Sequence, residues 1–134
     1  MPFVADSSVC LRWLLPSQAD LASMALLERA EQDTVFVPAL WQLEIANQLG
    51  LRLRSGKLSR QDFDRAQTVI AALDIVTSPL AFASPVPVLA IMERFGLTAY
   101  DAVYLDCART HHLPLATFDR QLIDAAKAAG IELI

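Results

Sequence analysis

No Cys-x-x-Cys pair, no glycine-rich phosphate loop and no Gly-x-Ser-x-Gly elbow occurs in this sequence. The first absence excludes the usual zinc and thioredoxin-like frameworks. The other two remove the common nucleotide-cradling and serine-nucleophile signatures. The two cysteines, Cys10 and Cys107, are far apart and lie among apolar residues, so they read as buried free thiols. Histidine is equally scarce. His111 and His112 are neighbours and point to different sides of a helix, so a helix end, where a cation suits the dipole, is expected rather than a metal site. Apolar stretches are broken by charge or proline before they reach the ~20 residues of a membrane span. The start, Met1-Pro2-Phe3-Val4-Ala5-Asp6, has no basic segment ahead of an apolar one, so no signal peptide is expected and a cytoplasmic location follows by default. Repeats, low-complexity segments and linkers are missing too, which leaves one domain over residues 1–134 as the expectation. An excess of positive charge is also lacking. The net charge of −4 and pI near 5.0 argue against a protein built to coat nucleic acid. They do not exclude a nuclease, whose own site can be made of carboxylates.

What the sequence has in quantity is apolar surface. Hydrophobic residues make up 54% of the 134, enough for a real core and too many for disorder. Short β-branched or aromatic runs alternate with helix-periodic segments. Strands are expected at residues 3–5, 34–37, 75–77, 113–117 and 131–134. Helices are expected from Ser7 to near Pro16, over 18–32 with Leu21, Met24, Ala25 and Leu27 on helical spacing, and from Pro38 to about Ser55. Further helices follow from Ser59 to Leu73, over 88–95, from Thr98 to His111, and over 120–129. Strands alternating with helices predict an α/β fold, a mostly parallel five-stranded sheet with helices on both faces. In such sheets the binding crevice lies beyond the carboxyl ends of the strands.

Four acidic residues stand out against this apolar background: Asp6, Glu44, Asp101 and Asp119. Asp6 and Asp119 directly follow apolar strand-like runs, and Asp101 opens a helix. Capping alone would account for any one of these three. Glu44 sits inside Leu40-Trp41-Gln42-Leu43-Glu44-Ile45-Ala46 with no basic residue three or four positions away, and capping cannot account for it. Unpaired carboxylates among core residues are costly, and a hard divalent cation, Mg2+ or Mn2+, is the natural shared partner. Such an ion acidifies a water and neutralises phosphate charge, so phosphodiester hydrolysis is the chemistry expected. Asn47, one turn after Glu44, shares its face and could orient it. Asp106 is turned away from Asp101 around the helix. Arg52, Arg54, Lys57, Arg60 and Arg65 gather around Gly56, either as a solvated hairpin or as a rim for RNA or an acidic partner. Phe118 and Tyr100 stand beside the acids and could pack or stack on a base.

Four segments resemble the PIN-domain family, and within it the VapC-type toxins of bacterial toxin–antitoxin pairs. They are Val4-Ala5-Asp6-Ser7-Ser8-Val9 with Arg12-Trp13-Leu14, and Pro38-Ala39-Leu40-Trp41-Gln42-Leu43-Glu44-Ile45-Ala46-Asn47. The other two are Leu97-Thr98-Ala99-Tyr100-Asp101-Ala102-Val103-Tyr104-Leu105 and Leu113-Pro114-Leu115-Ala116-Thr117-Phe118-Asp119-Arg120-Gln121-Leu122. The resemblance implies that Asp6, Glu44, Asp101 and Asp119 form an acidic metal site with Ser8, Asn47 and Thr117 in support. It also implies a five-stranded parallel sheet in a three-layer α/β/α sandwich, a homodimer, Mg2+- or Mn2+-dependent endoribonuclease activity, and a VapB-type antitoxin whose C-terminal segment covers the site. One departure is that Pro16 is followed by Ser17, where the family often carries an acid. Two other readings stand beside the nuclease. One is a PIN-like module that holds RNA or a partner without cutting. The other is a phosphatase with an aspartyl nucleophile at Asp6, which would want a second acid where Ser8 stands.

Overall fold

β1 (Phe3–Ala5) is the middle of the molecule: all three of its residues are sealed from solvent. The computed structural model describes Met1–Ile134. After β1 come α1 (Ser7–Leu14), a 3-10 turn (Pro16–Gln18), α2 (Leu21–Ala30), β2 (Val35–Pro38), α3 (Leu40–Arg54) and α4 (Arg60–Ala72). β3 (Ile75–Ser78), α5 (Val86–Phe95), α6 (Ala99–His111), β4 (Leu115–Ala116) and α7 (Arg120–Ala128) complete the chain. Every strand pairing is parallel, and the order across the sheet is β3-β2-β1-β4. The chain therefore builds outward from β1 through β2 to β3, then returns to add β4 on the other side of β1. That reversal makes the β1/β4 junction the topological switch point, where open α/β sheets carry their crevice.

The helices fall into two packed groups. α1 packs on α2, α3 and α4, while α6 packs on α5 and α7. α3 lies against β2, and α6 against β1 and β2. Between them runs one continuous apolar core that includes Phe3, Val4, Trp13, Trp41, Tyr104, Leu115 and Leu122. Burying a side chain the size of Phe3 contributes about 1.5–3 kcal/mol. The Trp13 indole N–H donates to the Ser23 carbonyl at 2.9 Å and so ties α1 to α2.

The sheet has four strands, not the five expected. Residues 131–134 add a single parallel bridge, Leu115 to Leu133. The reason lies in β4. Its Ala116 carbonyl and the Pro114 carbonyl face β1, accepting from the Asp6 and Val4 amides. Only Leu115 turns its own amide and carbonyl outward, to Glu132 and Ile134. The next residue, Thr117, has left the ladder to bond Asp6. One outward-facing residue cannot support a strand.

Two local expectations also change. Pro38 ends β2 rather than starting a helix. It pairs with Ser78, at a level where β1, matched only to Val35 and Phe36, no longer runs beside β2 and needs no donor from it. α2 is shorter than expected because Asp20 caps it, in a reciprocal capping box with Ser23. Its Leu21, 87% exposed, and Met24 and Ala25 face solvent, while Ser23 and Ala30 face the core. Gly96 closes α5 in the left-handed conformation at φ 66°, which a side-chain-bearing residue rarely adopts.

Candidate active site

β1 and β4 deliver their acids to one edge. Asp6 follows Ala5 and Thr117 follows Ala116, and these two alanines are register partners. Asp6 is 4% exposed and its carboxylate is held from three sides. Oδ1 accepts from the Ser8 hydroxyl at 2.6 Å and from the Val9 amide at 3.0 Å, and Oδ2 accepts from the Thr117 hydroxyl. A carboxylate has about four lone-pair sites, so the protein fills three and fixes the direction of what is left. Burial pushes the Asp6 carboxyl above its ordinary range. The Ser8, Thr117 and Val9 hydrogen bonds work the other way, and the nearby Asp119 charge adds to the rise.

Thr117 serves both acids. Its hydroxyl oxygen also accepts from the Asp119 amide at 3.0 Å, so one side chain sets the turn that aims Asp119. Asp119 Oδ1 in turn accepts from the Leu122 amide at 2.9 Å and caps α7. Asp6 and Asp119 are thus both helix caps, at the carboxyl ends of β1 and β4. Asp101 is not a cap; Thr98 caps α6 and Asp101 lies in its first turn. Burial raises the Asp101 carboxyl, followed by the charges of Asp119, Asp6 and Glu44; the Thr98 hydroxyl opposes them. Asp101 thus feels the charges of Asp119, Asp6 and Glu44, and Asp6 that of Asp119. α1, α6 and α7 start beside these acids, and their N-terminal partial charges offset part of the repulsion.

Glu44 reaches the group from α3. Tyr104 donates its phenol proton to Glu44 Oε1 at 2.6 Å. Burial, and then the Glu44 partner, hold that phenol far above its usual range, so it stays a donor. Sequence reasoning assigned Tyr104 no role, although it sits three residues after Asp101 and so shares its helix face. Beyond Glu44 a cleft of 590 Å³ opens, lined by Ser7, Leu11, Leu43, Glu44, Ala46, Asn47, Gln48 and Tyr100. Leu43 and Tyr100 are 72% and 61% exposed on its walls. Asn47 lines the cleft as expected from its spacing.

The donor set suits a hard divalent cation. None of the five ion pairs in the molecule involves Asp6, Glu44, Asp101 or Asp119, so their charge has no basic side chain to balance it. No three Asp, Glu, His or Cys side chains stand in ligand geometry about one point. Mg2+ does not require that, because it is bound through one or two carboxylates and keeps several waters.

Other candidates fall outside this group. Asp106 pairs with Arg109 at 3.6 Å. His111 ends α6, where its ring meets the Ser78 hydroxyl at 2.9 Å, and His112 is the left-handed cap. Both cysteines are buried and unbridged, with burial pushing the Cys107 thiol up to about 11. The Phe118 ring is already covered by the Arg12 guanidinium, 4.0 Å from its centroid, and Arg12 is itself held by Asp20 at 2.7 Å. The basic cluster divides: Arg60 pairs with Asp64, whereas Arg52, Arg54 and Lys57 line a groove and have no acidic partner.

A sequence profile of the PIN domain matches residues 3–128. The chain belongs to the PIN-domain family. Solved PIN-like folds agree with it over nearly their whole length. PAE2754 from Pyrobaculum aerophilum is 23% identical with a TM-score of 0.65, over 93% of this chain and 87% of that one. FitAcB from Neisseria gonorrhoeae is 19% identical with a TM-score of 0.66, over 100% and 96%. VapBC2 from Rickettsia felis, solved bound to a DNA fragment from its promoter, is 13% identical with a TM-score of 0.66, over 100% and 98%. At these identities the likeness is one of fold. No curated protein matches the sequence. No helix of this PIN domain is long and apolar enough to cross a membrane.

Proposed function

We propose that this PIN domain is the toxin of a type II VapBC toxin–antitoxin pair and acts as a Mg2+- or Mn2+-dependent endoribonuclease. The observation that carries the reading is the group of four carboxylates, Asp6, Glu44, Asp101 and Asp119, at the switch point with no basic side chain to balance them. The likeness in fold to FitAcB and VapBC2 supports the toxin assignment. A divalent cation held by these acids would supply a more acidic water and charge neutralisation for a phosphodiester. The protein's own part is positional. Ser8, Val9 and Thr117 lock the Asp6 carboxylate, Tyr104 steadies Glu44, and Thr117 sets the turn that aims Asp119. The open cleft beside Glu44 and Asn47 is where the reading places the RNA strand. A VapB-type antitoxin is the expected partner and a homodimer the expected assembly.

The test is incubation of antitoxin-free protein with total RNA, with and without Mn2+ or Mg2+, beside Asp101→Asn. Metal-dependent fragments with 5′-phosphate and 3′-hydroxyl ends, lost in the variant, are expected. Cyclic phosphate ends would point to attack by the RNA 2′-hydroxyl and sink the mechanism. A second reading, a PIN domain that binds RNA or a partner without cutting, draws on the absence of three acids in ligand geometry. It predicts no Mn2+ binding that depends on Asp6 or Asp101, which calorimetric titration would show.

A further inference from the structure

The acidic cleft does not end at Glu44. Gln48 also lines a second groove, of 450 Å³, whose other walls are Leu51, Arg52, Arg54, Ser55 and Lys57. Residues 44, 48, 51 and 55 follow helical spacing on one face of α3, so the two depressions run as one track along that helix. From Glu44 to Arg54 the helix rises about 15 Å, the length of a short oligonucleotide rather than a single nucleotide. Arg52, Arg54 and Lys57 take part in no ion pair; Arg65, Arg94, Arg120 and Lys127 are unpaired too, but the first three share one groove. Arg52 Nε is shut away from solvent without an acceptor. Cations in the last turn of a helix suit its dipole. That accounts for Arg52 and Arg54 but not for Lys57, which lies past the helix, nor for the groove they share.

We propose that this basic end of the track binds phosphates of the RNA strand whose scissile bond lies at the acidic end, with Arg52, Arg54 and Lys57 as the contacts. The proposal rests on the ribonuclease reading. A protein of net charge −4 with four uncompensated carboxylates at its site repels a polyanion. A local cluster of free cations on the same track offsets that repulsion for the flanking phosphates and fixes the strand's direction over the acids. An acidic protein segment would be drawn to the same cations but has no reason to extend to the carboxylates, so RNA is the favoured occupant.

The experiment uses Asp101→Asn protein in Mg2+, so that RNA is bound without being consumed, and fluorescence anisotropy of a labelled oligouridylate across a salt series. Arg54→Ala with Lys57→Ala is compared with Arg94→Ala with Lys127→Ala; both pairs are exposed and both change the net charge equally. Single-strand binding falls with salt at a slope of about 0.7 per neutralised phosphate, so the groove pair should flatten the log–log slope by about 1.4. The same relation gives about 25-fold weaker binding near 0.1 M salt. The Arg94 and Lys127 pair should match the parent. Groove variants that bind like that control, in a protein whose wild type cuts RNA, would overturn the groove and leave the nuclease standing. Loss of binding in the groove variants, with a wild type that cuts no RNA, would retain the groove and sink the nuclease. Stronger competition by polyglutamate than by unlabelled oligouridylate would reassign the groove to an acidic protein and overturn the proposal.

Discussion

Thr117→Val is the most informative single change, because valine keeps the shape of threonine and removes only the hydroxyl that joins two acids. That hydroxyl donates to Asp6 Oδ2 and accepts from the Asp119 amide, in a residue only 7% exposed. A hydrogen bond to a charged group is worth about 1.5–3 kcal/mol, and an orphaned amide adds about 1 kcal/mol where water reaches it only partly. The apolar gain from the new methyl offsets some of this, leaving a loss of about 2–4 kcal/mol. For a chain of this length, an unfolding entropy of about 2.1 cal/mol/K per residue makes 1 kcal/mol worth about 3–4 °C. Thermal melts of the metal-free protein should therefore fall by about 7–14 °C. Mn2+ affinity, measured by calorimetry, should drop about 10–100-fold, the usual cost of losing a residue that orients a ligand. Thr117→Ser, which keeps the hydroxyl, should recover most of both. A valine variant melting with the wild type and binding Mn2+ as tightly would refute the idea that Thr117 organises the site.

The pH dependence of the metal-free protein follows from the same carboxylates. Asp6 and Asp101 both have folded-state values above 3.8, so each holds its proton more tightly folded than unfolded. Their contribution to stability is complete below the unfolded value and is lost as pH rises through the folded one. Melts should therefore be higher at mildly acidic than at neutral pH, with Mg2+ or Mn2+ reversing the order. Asp20 and Asp33 are shifted downward and act in the opposite sense, Asp20 at an exposed position that contributes little and Asp33 half-buried beside Arg29 and the N-terminus. Asp101→Asn should melt about 0.5–2 kcal/mol more stably without metal, since it removes one of the repelling charges, yet lose most cleavage. Tyr104→Phe frees Glu44 to turn and should weaken Mn2+ binding about 10-fold or more while leaving the fold intact by circular dichroism. Tyr100→Ala removes the exposed ring on the cleft wall. RNA affinity by anisotropy should fall by about 1–3 kcal/mol if the ring stacks on a base, and an unchanged value would make it a bystander.

How much was legible in the sequence depended on whether the deciding interaction was local. Caps and periodicity are local, so Thr98 before α6, Ser59 before α4 and Asp119 before α7 are readable from a few neighbours. The fifth strand was misread because residues 131–134 have strand-like composition, whereas pairing is decided by what β4 offers them, and β4 offers only Leu115. The apolar spacing of Leu21, Met24, Ala25 and Leu27 marks a helix but not which of its sides meets the core. Leu21 and Met24 keep a helical spacing, but Asp20 fixes the helix phase so that Ser23 faces inward. Tyr104 escaped notice because its partner, Glu44, is 60 residues away.

The aspartates show how a residue with an ordinary structural explanation can still serve a site. Capping and chemistry compete for a residue only if they need the same lone pair. Asp119 spends Oδ1 on the Leu122 amide, and no protein donor bonds its Oδ2. Asp6 spends Oδ1 on Val9 and Ser8, and one Oδ2 position on Thr117, which still leaves a direction open. The cap would therefore position a proposed ligand: a carboxylate fastened to the first turn of a helix has little rotamer freedom left to lose on binding a cation. Glu44, which like Asp101 caps nothing, is fastened instead by the Tyr104 phenol. A sequence in which helix caps fall at the carboxyl ends of two adjacent parallel strands thus marks two oriented carboxylates at one sheet edge.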